Sequence, residues 1–181
     1  MPISRRTILR YGLGGALLLA AGGTGLALQG SALRAPGRQL QVLDPRTYSI
    51  LAAVADRIVP AGNGFPAATA LAVPEKIDAL LASGDPGVAD EVKQVLLLLE
   101  NALAGLVFDG RTRPFTKLSP PEQDEALRSW QHSGLSIRRT AFAALHGLCA
   151  AAYYASPEIH TLVGYPGPPD FGNVVRTVGG R

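Results

Sequence analysis

The sequence predicts an all-α protein: a small bundle of about five helices followed by an extended, glycine- and proline-rich C-terminal tail. Three observations carry this. Apolar residues recur three and four apart in several windows, which marks one face of a helix. No run shows sustained apolar–polar alternation, so no strand signal competes. Helix starts and stops stand where these windows need them, as Asp-Pro or Ser-Pro at the front and Gly or Pro at the rear.

The first helix starts at Asp44-Pro45, an N-cap followed by proline at the first helical position. Leu51, Val54, Ala55 and Ile58 form its apolar face, and Pro60 ends it. Residues 34–43 before it read as a polar linker. Ala61-Gly62-Asn63-Gly64-Phe65-Pro66 has strong turn chemistry. A second helix is expected from Pro74 to Ala82, with Ile77, Leu80 and Leu81 on one side; Ser83 to Gly87 breaks it. A long third helix is expected from Val88 to Val107. Its Val95-Leu96-Leu97-Leu98-Leu99 run is apolar nearly all round, which places it at the centre of the bundle. Asp109-Gly110 closes it.

Phe115 and Leu118 belong to a connector that docks on the core. Ser119-Pro120-Pro121-Glu122 is a capping box opening the fourth helix, Pro120 to His132, which carries Leu127 and Trp130. Ser133-Gly134 is a break. The fifth helix, Ser136 to Ala155, has Phe142, Leu145, Leu148 and Ala152 on its stripe. From residue 161 onward there is no periodicity, and Gly164-Tyr165-Pro166-Gly167-Pro168-Pro169 fits neither a helix interior nor a central strand. The chain thus divides into residues 1–32, a helical domain 33–163, and a tail 164–181.

Residues 1–32 are of another kind. Ser4, Arg5 and Arg6, then Ile8, Leu9 and Arg10, resemble a twin-arginine export signal, an address read by a receptor. No charge appears from Tyr11 to Leu33, and small residues follow at Gly30 and Ala32. This resemblance implies export of a protein already folded. The uncharged run is long enough to span a bilayer, so cleavage and retention as an anchor both stay open. Gly12-Leu13-Gly14-Gly15 is no dinucleotide fingerprint, because no strand precedes it and no acid follows at the required distance. The net charge of +3 belongs to this segment; residues 33–181 hold 14 acidic residues and as many basic ones. No basic patch points to nucleic acid.

Candidate chemistry is sparse. A lone cysteine, Cys149, excludes an internal disulfide, Cys-x-x-Cys-His haem attachment and a cysteine-ligated cluster; its neighbours favour burial. His132, His146 and His160 are evenly spaced but fall on two helices and the tail, with no metal-ligand pair among them. His146 and Cys149 are three apart on one helix, leaving a stand-alone Cys–His enzyme as an alternative. A membrane-tethered helical scaffold is another. Asp56-Arg57 and Glu75 to Asp78 read as solvated helix faces. Tyr153, Tyr154 and the tail residues Tyr165, Pro166, Gly167, Pro168 and Phe171 read as a partner interface, because tyrosine suits wet interfaces and a tail without a core needs another surface.

The mature chain resembles the gluconate 2-dehydrogenase subunit 3 family. The resemblance lies in the signal, in Ala55 to Pro60 with Phe65-Pro66, and in Val73 to Asp78. It continues in Phe115 to Leu118 with Pro121-Glu122-Gln123, and in Tyr153 to Ser156 leading to Gly164 to Pro168. It implies a non-catalytic small subunit of a periplasmic, membrane-associated complex. The large partner would be a flavin-dependent dehydrogenase of the glucose-methanol-choline type, holding FAD and oxidising a sugar or another alcohol. A cytochrome c with haem would be a possible third subunit. The small subunit would carry the partner through the twin-arginine machinery. No catalytic, cofactor-binding or metal residue is implied in this chain.

Overall fold

The structure, a computed structural model, describes residues 30–167; the signal residues Ser4 to Arg10, and Pro168 and Phe171 of the tail, lie outside them. Among the described residues there are seven α-helices, two short 3-10 turns and no strand. The helices are α1 (Pro45–Ile58), α2 (Val73–Ser83), α3 (Pro86–Glu100), α4 (Ala102–Asp109), α5 (Pro120–Gln131), α6 (Ser136–Tyr154) and α7 (Pro157–Leu162).

The bundle is built around α1. Ile50, Leu51, Ala52, Val54 and Ala55 have no exposed surface at all, and α1 packs on α2, α3, α5 and α6. Its start follows the sequence reading. The Asp44 carboxylate accepts from the Arg46 and Thr47 amides at 2.8 and 3.0 Å, and the Thr47 hydroxyl accepts from the Asp44 amide. That reciprocal pair satisfies amides that the first helical turn leaves orphaned.

The expected third helix is two helices. Asn101 ends α3 and caps α4: its amide closes on Leu97, while its Oδ1 accepts from Leu103 and Ala104. Asparagine at an N-cap is the residue type that makes such a restart favourable. The expectation that this leucine run is the bundle's centre also fails. Leu96 and Leu99 are fully buried, but Leu97 and Leu98 are 37% and 45% exposed. The run sits on one side of the bundle, so only one face of it is covered.

Residues 34–43, with the four before them, are not a linker. They form a strap tied down by buried carboxylates. Asp78 accepts from the amides of Gln41, Val42 and Leu43 at 2.7–3.0 Å. Glu75 accepts from the Gly37 amide and the Tyr48 hydroxyl. Further out, the Arg34 amide donates to Ser49 and the Ala32 amide to Thr116. Glu75 and Asp78 are 6% and 2% exposed, so the solvated-face reading of this helix is overturned. Asp56 is likewise engaged, with Arg34 and with both the amide and hydroxyl of Thr69. Irregular backbone next to a core needs acceptors, and these three acids provide them.

Phe115 and Leu118 dock on the core as expected. Ser119 and Glu122 form their capping box at the head of α5. The end of the expected helical domain holds structure that periodicity did not reveal: Ser156-Pro157 starts the six-residue α7.

Candidate partner interface

The C-terminal half of α6, the loop after α1 and the end of α7 meet at one corner. The loop turns tightly: Gly62 and Phe65 exchange amide–carbonyl bonds at 2.8 and 3.0 Å, with Asn63 and Gly64 at φ 51° and 84°. Positive φ at successive positions is the turn chemistry that Asn-Gly supplies. Tyr153 ties the loop to α6, its hydroxyl donating to the Pro66 carbonyl at 2.8 Å. Beside it lies a cavity of about 470 Å³ lined by Ile58, Asn63, Phe65, His146 and Tyr154 among others.

The expected interface residues therefore separate. Tyr153 is 1% exposed: its ring is core and gives a partner no surface, because it fills the gap between α6 and the loop. Tyr154 stands against it edge to face at 5.5 Å and is 55% exposed. Tyr165 is 46% exposed, its ring edge to face with His160 at 5.0 Å.

What holds Tyr165 there is a helix stop. The Gly164 amide donates to Thr161 and the Tyr165 amide to His160, with Gly164 at φ 68°. This is the Schellman pattern, in which glycine takes the left-handed position and the next side chain packs back on the last turn. His160 Nε2 also lies 2.9 Å from the Tyr154 carbonyl, tying α7 to α6. Gly164 caps α7, and from Tyr165 to Gly167 the chain has no regular structure, with Tyr165 and Pro166 exposed and Gly167 half-buried.

The histidines and the cysteine do not form a centre. Cys149 is fully buried, and burial pushes its thiol up to about 12. It is protonated at neutral pH, and the thiolate is the nucleophile. His146 faces the corner cavity and stacks obliquely on Phe142 at 5.9 Å. A Cys–His enzyme thus lacks a nucleophile within reach of substrate. Among the described residues no group of His, Cys, Asp and Glu is placed to hold a metal ion, and no helix is long and apolar enough to cross a membrane.

Fold and site together define a small helical domain with an exposed, cap-anchored aromatic corner and a buried thiol. Comparison with family models gives the particular family: gluconate 2-dehydrogenase subunit 3 matches residues 45–167. The chain belongs to this family, which makes it an accessory subunit of a dehydrogenase complex. The matched region begins at the first residue of α1 and ends at Gly167, so it contains both Tyr154 and Tyr165. No curated protein and no solved structure matches the chain.

Proposed function

We propose that this chain is the non-catalytic small subunit and export escort of a flavin-dependent dehydrogenase of the glucose-methanol-choline type. The large subunit holds FAD and oxidises a sugar or another alcohol; a cytochrome c with haem serves as a third subunit. The assembled complex sits in the periplasm, associated with the cytoplasmic membrane. The observation that carries this reading is the family match over residues 45–167 in a chain that also bears Ser4-Arg5-Arg6-Thr7-Ile8-Leu9-Arg10. An address for folded cargo on a subunit without a recognisable cofactor motif makes sense when the cargo is the subunit's partner.

The export test replaces Arg5 and Arg6 with lysine. Both this chain and the dehydrogenase subunit are expected to stay in the cytoplasm on fractionation. Export of the dehydrogenase subunit at its normal level would end the escort reading. The corner built by Tyr154 and Tyr165 is the proposed contact for the large subunit, and Pro168 and Phe171, outside the described residues, are proposed to contribute to it. Deleting residues 164–181 should leave the helical circular dichroism intact and abolish co-purification. Co-purification at full yield would remove the tail from the interface.

A further inference from the structure

Gly30 and Ala32 are small residues two apart at the end of the uncharged run, the spacing that a signal peptidase reads before the bond it cuts. The bond so marked joins Ala32 to Leu33. Both residues lie on the surface, Leu33 being 66% exposed, so burial does not shield the bond. The chain around it is nevertheless engaged on both sides.

Before the bond, the Ala32 amide donates to Thr116 Oγ1 at 2.9 Å, and Ser31 Oγ accepts from Arg46 Nε at 3.0 Å. After it, the Arg34 amide donates to Ser49 Oγ at 2.8 Å, and the Arg34 guanidinium pairs with Asp56 at 2.8 Å. The Gly37 amide follows, on Glu75 at 3.0 Å. The two hydroxyls are fixed as acceptors. Thr116 Oγ1 gives its own proton to the buried Glu100 carboxylate at 2.6 Å, and Ser49 Oγ gives its proton to the Pro45 carbonyl at 2.6 Å. A hydroxyl has one proton and two lone pairs, so each turns a lone pair to the strap. Their positions are set as well: Ser49 has no exposed surface, and Glu100 also holds the Thr116 amide.

Ser31 to Gly37 is thus pinned to three elements: the 3-10 turn Phe115–Lys117, α1 through Arg46, Ser49 and Asp56, and α2 through Glu75. An extended segment is recognised through its main-chain groups, and cutting within a folded chain draws on the fraction that is locally open. Here the amides of Ala32 and Arg34 are already taken by the domain. The pin at Gly37 keeps slack from being drawn out of the rest of the strap.

We propose that the folded domain closes the Ala32–Leu33 bond to signal peptidase, so that the exported chain keeps these two residues joined. The inference rests on the export reading above. The twin-arginine resemblance implies cargo folded before it crosses, so the strap is laid down before the peptidase meets it. A chain crossing unfolded would present the same bond with its amides unoccupied. Closure also preserves the strap itself, because a cut there would release the residues that Thr116 and Arg46 hold.

The test has two arms. In the first, purified signal peptidase is given the full folded chain and, as an unfolded control, a synthetic peptide of residues 24–40. The peptide should be cut after Ala32, and the folded chain at least tenfold more slowly. Equal rates would overturn the proposal. So would a peptide left whole, because the bond would then need no closure. Ser49→Ala removes the acceptor of the Arg34 amide and Thr116→Val that of the Ala32 amide. The double variant should keep its helical circular dichroism and be cut several-fold faster than wild type; a folded double variant that resists like wild type overturns the proposal. Should that variant not fold, amide exchange in wild type decides. Ala32 and Arg34 should exchange at least tenfold more slowly than in the peptide, and exchange at the peptide's rate overturns the proposal. In the second arm the first residue of the exported chain is determined. A first residue upstream of Leu33 supports the proposal; one at Leu33 or beyond overturns it and leaves the export reading standing. A chain found only in the cytoplasm would remove the export reading and the proposal with it.

Discussion

α1 and α3 each carry a long apolar run, Ile50 to Ala55 and Val95 to Leu99, and the two runs ended in opposite surroundings. α1 is covered on every side, by α2, α3, α5 and α6 and by the strap that Glu75 and Asp78 hold in place. α3 is covered on one side only; its other side exposes Val88, Leu97 and Leu98 beside Asp90, Glu91 and Gln94. Local hydrophobicity ranked them the other way round, with the leucine run as the centre. What decided the matter was coverage. α1 carries small residues, Ala52, Ala53 and Ala55, at its contacts, and small side chains let four neighbours approach. The leucine run of α3 has neighbours on one side only. It buries Leu96 and Leu99 and leaves Leu97 and Leu98 partly exposed.

The comparison can be broken from the α1 side first. Leu51→Asp places an unpaired charge where there is no exposed surface and should unfold the domain, seen as loss of helical circular dichroism. A folded Leu51→Asp variant would mean α1 is not the core.

Asp78→Ala comes next. It leaves the amides of Gln41, Val42 and Leu43 without their acceptor. An unsatisfied buried group costs about 1–3 kcal/mol, so thermal denaturation should show a loss of that order or more. Limited proteolysis should begin to cut within residues 30–43. An unchanged digestion pattern would mean the strap is held by other contacts.

On the α4 side, Gly105→Ala tests packing rather than polarity. A Cβ there would stand 2.5–2.6 Å from Arg111 side-chain atoms. Arg111 has little freedom to retreat, held by Asp109 and by the carbonyls of Leu99 and Arg113. Overpacking of this sort typically costs about 1–3 kcal/mol, measured by denaturant unfolding. A neutral effect would show that Arg111 is replaceable there.

Asp44→Ala should cost about 1 kcal/mol, the usual value of an N-cap. The same cap gives a pH dependence. Burial alone would raise the Asp44 pKa, but hydrogen bonds from Thr47 and the Arg46 amide outweigh it and hold the carboxyl below its ordinary 3.8. A depressed folded-state value means stability that is present above 3.8 and lost as pH falls through the lower folded value. Melting temperature should therefore drop more steeply with acid below that point in wild type than in Asp44→Ala. Parallel curves would show that the cap is not the cause.

The smallest effect is expected at Leu97→Asp. The side chain is 37% exposed, so the variant should stay folded and lose less than about 1 kcal/mol, typical of surface substitutions near an element's edge. Unfolding there would restore the leucine run to the centre.

The sequence by itself determined the helical class, most element boundaries and the stops between them. Those features are local: Asp44-Pro45, Ser119 with Glu122, and Ser133-Gly134 act within one turn of where they stand. It also showed the docking of Phe115 and the burial of Cys149, because short apolar runs leave few alternatives. Gly164-Tyr165 was visible as a break, though not as the cap of a helix too short to show periodicity.

Only the tertiary structure decided which helix is central and which acids are buried. Glu75 and Asp78 look like any solvated carboxylate until the strap some 35 residues earlier lays its amides on them. It also separated Tyr153 from Tyr154, neighbours in sequence that a helix turns about 100° apart, at 3.6 residues per turn: one into the core onto Pro66, the other into solvent. Burial is a property of what lies opposite, and what lies opposite is fixed by contacts distant in the chain.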